Sequence, residues 1–155
     1  MNVKSIRWVV LLVALVSFNA WACGDSLYRV GKGVSYRVYT APLPGSVLVY
    51  GQSEGARQLA EALAQSGHGV QLVQNEIELN LELQSGDYDV VIAPYRDHGT
   101  VEASGSMAEA TYLPVAMTKQ EAKVANESYS KVMVADRDEI KHYLKAIHKT
   151  LKART

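Results

Sequence analysis

Two short stretches carry the residue types that could do chemistry: Gly51-Gln52-Ser53-Glu54-Gly55 and Tyr95-Arg96-Asp97-His98. The first has the G-x-S-x-G form of a hydrolase nucleophile turn, in which a serine is presented between a strand and a helix. The second offers a guanidinium for an anion and a carboxylate beside an imidazole for proton transfer. Ser53 with His98 as base is therefore a candidate catalytic pair, although no Asp–His pair can be assigned to complete a triad. As a binding surface the same stretches give Gly51, Gln52, Ser53, Tyr95, Arg96, Asp97 and His98, joined by Thr118 at the end of a later strand. His68, His98, His142, His148, Met107, Met117, Met133 and Cys23 are nominal ligands for copper or haem. His142 and His148 stand six apart, about 120° around a helix, so they do not share a face. There is no C-x-x-C-H and no H-E-x-x-H string, and neither a metal nor a cofactor is expected.

These residues need a scaffold, and Asp87–Pro94 is its centre. Val90, Val91, Ile92 and Ala93 form an apolar run too short for a helix and too unbroken for a half-exposed strand. A strand buried on both faces of a parallel sheet has this composition. Function in open α/β sheets collects beyond the carboxyl ends of such strands, which here means Pro94–His98. Strand and helix alternate from Ser46 onward. Val47–Tyr50 is the first strand; Ser53 caps a helix with the stripe Ala56, Leu59, Ala60 and Leu63, and Gly67-His68-Gly69 ends it. Val70–Val73 is the second strand. Glu76–Gln84 alternates like a strand at Ile77, Leu79, Leu81 and Leu83, but its Leu and Glu content and the need for a parallel crossover favour a helix capped by Asn75. On that helix Ile77 and Leu81 share one face and Leu79 and Leu83 the opposite one. The second pair is expected to face outward, covered by the N-terminal arm or by a partner.

Asp97–Ala110 reads as a polar loop with a short helix from Met107. Tyr112–Met117 and Lys131–Ala135 give two more strands around a helix at Lys119–Ala125. The last helix has its capping spacing at Asp136 and Glu139 and buries Ile140, Tyr143, Leu144, Ile147 and Leu151.

The beginning of the chain belongs to none of this. Lys4 and Arg7, the apolar Trp8–Phe18 and Ala20-Trp21-Ala22 make residues 1–22 a secretory signal cut before Cys23, so the protein is expected in the periplasm or secreted. Cleavage before a cysteine is also the lipoprotein pattern, but Ala20 and Trp21 depart from its usual residues; a lipid anchor on Cys23 is the alternative. The signal's apolar run is too short to span a bilayer, and no later segment does so. Cleavage leaves about 130 residues, enough for a core without staples, and the single cysteine excludes an intrachain disulfide. Losing Lys4 and Arg7 turns a balance of 16 basic and 16 acidic residues into a small acidic excess, which gives no general attraction to nucleic acid. Residues 23–45 read as an extended arm and stiff linker: Tyr28-Arg29-Val30 recurs as Tyr36-Arg37-Val38, and Pro42 and Pro44 prevent continued pairing.

Five βα units of this size and order resemble the response-regulator receiver domain over residues 46–155. The likeness is strongest in Ser85-Gly86-Asp87-Tyr88-Asp89-Val90-Val91-Ile92 and in Pro114-Val115-Ala116-Met117-Thr118. It implies an α/β fold with a five-stranded parallel sheet in the flavodoxin-like order 2-1-3-4-5 and helices on both faces. The receivers' metal-binding acids would fall at Gly51, Gln52 and Ser53. Their phosphoacceptor would fall at Ala93 or Pro94, and their lysine near Ala135 or Asp136; only Thr118 matches. Hard cations need converging carboxylates, so the resemblance implies the fold without phosphotransfer. The expectation is an exported, non-enzymatic receiver-like module that binds a protein partner or a small anionic ligand. The alternative is a small serine hydrolase.

Overall fold

The computed structural model describes residues 40–103 and 110–154. The strands are β1 (Ser46–Tyr50), β2 (Gly69–Val73), β3 (Val90–Pro94), β4 (Thr111–Ala116) and β5 (Met133–Val134). They form one five-stranded sheet in the order β2-β1-β3-β4-β5, and every pairing is parallel. Between and after them lie α1 (Glu54–Gln65), α2 (Glu76–Ser85), α3 (His98–Ala103), α4 (Lys119–Ser128) and α5 (Ile140–Arg154), with a 3₁₀ turn at Tyr95–Asp97. The α/β class, the strand order and the helix at Glu76 are as the sequence predicts. The arm, Cys23 and Met107 lie outside the described residues.

Strand alternation divides the core in two. Val47, Val49, Val90, Ile92, Leu113 and Val115 point to the face covered by α1 and α5, where they meet Leu59, Leu63, Tyr143 and Ile147. Leu48, Tyr50, Val91, Ala93 and Tyr112 point the other way, to α2 and α3. Ala116 and Val134 continue that second face beneath α4. Helices thus cover both faces, as an all-parallel sheet requires. Pro114 is accommodated in β4 because β5 pairs only Val115 and Ala116.

Helix ends follow local chemistry. Ser53, Asn75 and Thr118 accept the amides of Ala56, Glu78 and Glu121 at the starts of α1, α2 and α4. At the end of α1, Gly67 takes φ +97°, and the His68 and Gly67 amides return to the carbonyls of Leu63 and Ala64. This is the two-bond closure that favours glycine after a helix.

Three expectations are corrected. The faces of α2 are reversed: Leu79 and Leu83 are 0% and 2% exposed against the sheet, while Ile77 and Leu81 are 75% and 61% exposed. The sheet offers Leu48, Tyr50 and Val91 to whichever stripe faces it, and the connections from β2 and into β3 turn Leu79 and Leu83 inward. Residues 98–103 of the expected loop form α3, anchored by fully buried Val101. The final helix starts at Ile140 rather than near Asp136. Its first reciprocal bond joins the Glu139 amide to His142 Nδ1 at 3.0 Å, with imidazole in the place where a capping box usually has Glu or Gln.

Candidate functional site

Since β1 and β3 are neighbours, the loops leaving Tyr50 and Pro94 emerge side by side at the point where the strand order reverses. Gly51, Gln52 and Ser53 stand on one side and Tyr95, Arg96, Asp97 and His98 on the other. Thr118 follows the adjacent β4. The residues singled out in the sequence therefore share one edge of the sheet.

Their bonding is mainly structural. Ser53 Oγ accepts the Ala56 amide at 3.1 Å, and Ser53 has an ordinary extended backbone with φ −79°. A nucleophile elbow is a strained turn, and among the described residues none but glycine has positive φ. His98 Nδ1 lies 2.8 Å from the Tyr95 carbonyl, and its ring stacks on Tyr95 with centroids 4.9 Å apart. Tyr129, at the end of α4, meets Tyr95 edge-on at 6.1 Å and Tyr112 at 5.3 Å. The Tyr112 hydroxyl donates to the Pro94 carbonyl at 3.0 Å, and the Tyr129 hydroxyl to the Glu102 carboxylate. Four rings thus hold the turn after β3 in one geometry. Among the described residues Ser53 and His98 share no hydrogen bond.

Charge at this edge is mixed. Burial pushes the Asp97 carboxyl above its usual range; Arg96 opposes the shift, while Glu76 and Glu121 add to it. Burial likewise raises Tyr50, with the charges of Asp97 and Glu76 acting in the same direction and Arg96 against. The Arg96 side chain is 60% exposed and only loosely paired to Asp97, at 3.8 Å. Among the described residues no group of three His, Cys, Asp or Glu side chains is placed to hold a metal ion.

Sequence reasoning missed Glu76, Glu121, Tyr50 and Tyr129. Glu121 had a readable signal in Thr118-x-x-Glu121: its carboxylate accepts the Met117 amide at 2.6 Å while Thr118 accepts the Glu121 amide. Glu78 does the same in Asn75-x-x-Glu78, accepting the Gln74 amide at 3.2 Å. Tyr129 had none, since a lone tyrosine after a helix does not reveal which rings it will meet.

No protein-family model, curated protein or solved structure matches the chain. No helix among the described residues is long and apolar enough to cross a membrane.

Proposed function

We propose that this is an exported receiver-like module that acts by binding rather than by catalysis. The observation carrying this reading is the engagement of each reactive group at the carboxyl edge. Ser53 and Thr118 cap helices, His98 bonds and stacks on Tyr95, and Ala93 and Pro94 stand where a phosphoacceptor would be. What this edge turns to solvent is Gln52, Thr118 and the Arg96 guanidinium. A protein partner with mixed charge suits it better than a small anion, because Glu76, Asp97 and Glu121 act on the same place as Arg96. The resemblance to receivers supports the same reading, and the signal-like leader supports export.

The serine hydrolase remains the competing reading because the Gly51–Gly55 string does lie between a strand and a helix. A serine-reactive phosphonate separates the two. The folded mature protein is expected to remain unlabelled and to turn over no simple ester; labelling that disappears in Ser53→Ala would overturn the binding reading. For binding itself, a photo-cross-linker at Arg96 in exporting cells is expected to give a discrete adduct. A cross-linker at Lys149, on α5, should not give that adduct.

A further inference from the structure

The outer face of α2 is unusual for a short helix. Helix geometry places Ile77 and Leu81 one turn apart at the centre of this face, with Glu78 and Glu82 along one flank; Glu76, on the row of Leu79 and Leu83, belongs to the carboxyl edge of the sheet. Both apolar side chains are well exposed although Leu79 and Leu83 already fasten the helix to the sheet. Glu82 uses one carboxylate oxygen for the Tyr88 hydroxyl, at 2.5 Å, and Glu78 one for the Gln74 amide. An aliphatic pair flanked by a row of two carboxylates suits a basic segment rich in aromatic and β-branched residues.

The chain carries such a segment. Residues 23–39, the part expected to remain ahead of the described domain after signal cleavage, contain Arg29, Lys32 and Arg37 against Asp25 alone. They also contain Tyr28, Val30, Val34, Tyr36, Val38 and Tyr39. The described chain starts at Thr40, beside the amino end of edge strand β2: the Ala41 amide donates to Ser66 O at 2.7 Å, and Gly69 N to Gly45 O at 3.0 Å. From there α2 is reached by rounding that single edge strand. Crossing from the α1 layer to the α2 layer is roughly 20 Å, at about 10 Å per layer. Seventeen residues can span on the order of 55 Å when extended. Residues two apart in an extended chain repeat about every 7 Å, close to the rise of one helical turn between Ile77 and Leu81.

We propose that residues 23–39 dock within their own chain on the outer face of α2. Their aromatic and β-branched side chains cover Ile77 and Leu81, and their cations meet Glu78 and Glu82. Two alternatives fit less well. A second copy bringing its own α2 would oppose carboxylates to carboxylates, and two aliphatic side chains supply far less than the roughly 800 Å² per partner of a stable interface. A cavity of about 240 Å³ lies nearer to Thr40, but Lys141 and Lys145 line it and repel a basic segment.

Zero-length carbodiimide coupling of the mature protein tests this, because Lys32 is the segment's only lysine. Mixing ¹⁴N- and ¹⁵N-labelled protein separates coupling within one chain from coupling between chains. The expected product is Lys32 joined to Glu78 or Glu82 within one chain, with its yield falling several-fold in 1 M salt. The outward-facing pair Ile77→Ser and Leu81→Ser should leave the helical spectrum intact and reduce that coupling at least threefold. Reversing Arg29, Lys32 and Arg37 to Glu, which changes no residue of the described domain, should speed amide exchange in α2 several-fold. Coupling only between chains, coupling of Lys32 elsewhere or not at all, undiminished coupling in the serine pair, or unchanged α2 exchange after reversal would each overturn the proposal.

Discussion

Asp97 illustrates how residue type and residue role part company. From the sequence it is a carboxylate next to a histidine, a candidate for proton transfer. In the structure it is a carboxyl held above its usual range, first by burial and then by Glu76 and Glu121, with Arg96 opposing. A carboxyl whose folded pKa is raised favours folding most below its unfolded pKa, and that contribution is lost as pH rises through the folded value. At neutral pH the ionised form is therefore a local cost. Asp97→Asn removes the charge and gives up only a loose pair with a mostly exposed guanidinium, and such pairs contribute little. The variant should melt higher than the parent at pH 7, and the difference should vanish below about pH 4. An equal or lower melting temperature at pH 7 would show that the Arg96 contact outweighs burial and repulsion. Which residues gather at this edge was legible in the sequence, because strand ends are. Their bonding was not, because the roles of Ser53 and His98 depend on the local backbone and on rings brought from α4.

α2 shows the same limit at the scale of an element. Ile77, Leu79, Leu81 and Leu83 give a helix two apolar stripes on opposite sides, and nothing in that pattern says which one faces a sheet. Helix and cap were readable from Asn75 and the Leu and Glu content; orientation was set by the chain's path between β2 and β3. Leu79→Ala should therefore cost about 2–5 kcal/mol, the range for removing a buried leucine, whereas Ile77→Ala should stay within about 1 kcal/mol. Urea unfolding of the two variants measures this directly. Comparable losses at both positions would mean that the outer face is covered as tightly as the inner one. α3 and the late start of α5 were hidden for a different reason: one has a single buried anchor, Val101, and the other uses His142 where a cap signature expects an acid or amide.

At the scale of the molecule, the strand order was implied by resemblance and the parallel class by periodicity, but the ties that close the fold were not visible. Asp89 joins three parts of it: its carboxylate accepts the Ser46 amide at 2.8 Å and pairs with Arg154 at 3.0 Å, linking the starts of β1 and β3 to the end of α5. His68 is the matching tie on the incoming chain. It is 6% exposed, it follows the turn that closes α1, and its Nδ1 accepts the Gly45 amide at 3.2 Å. Burial holds its pKa below the usual value of 6.5. The unfolded chain therefore takes up the proton first, so stability falls as pH drops from about 6.5 to the folded value and is flat below it. Asp138 gives a separate, more acidic step. Burial alone would raise its carboxyl, but the Arg137 guanidinium, the Val134 amide and nearby His142 outweigh it and leave it below the usual range, so its contribution is lost under about pH 4. Two acid steps should therefore appear in a plot of unfolding free energy against pH, and His68→Phe assigns the first. At pH 8 the variant should be less stable by about 1–3 kcal/mol, because the Gly45 amide loses its acceptor. Between pH 7 and 5 it should show a shallower slope than the parent, because the His68 proton is gone. Parallel profiles for parent and variant across that interval would mean that the ring takes up its proton over the same pH range in the folded and the unfolded chain. The tie between the incoming chain and α1 would then be independent of pH.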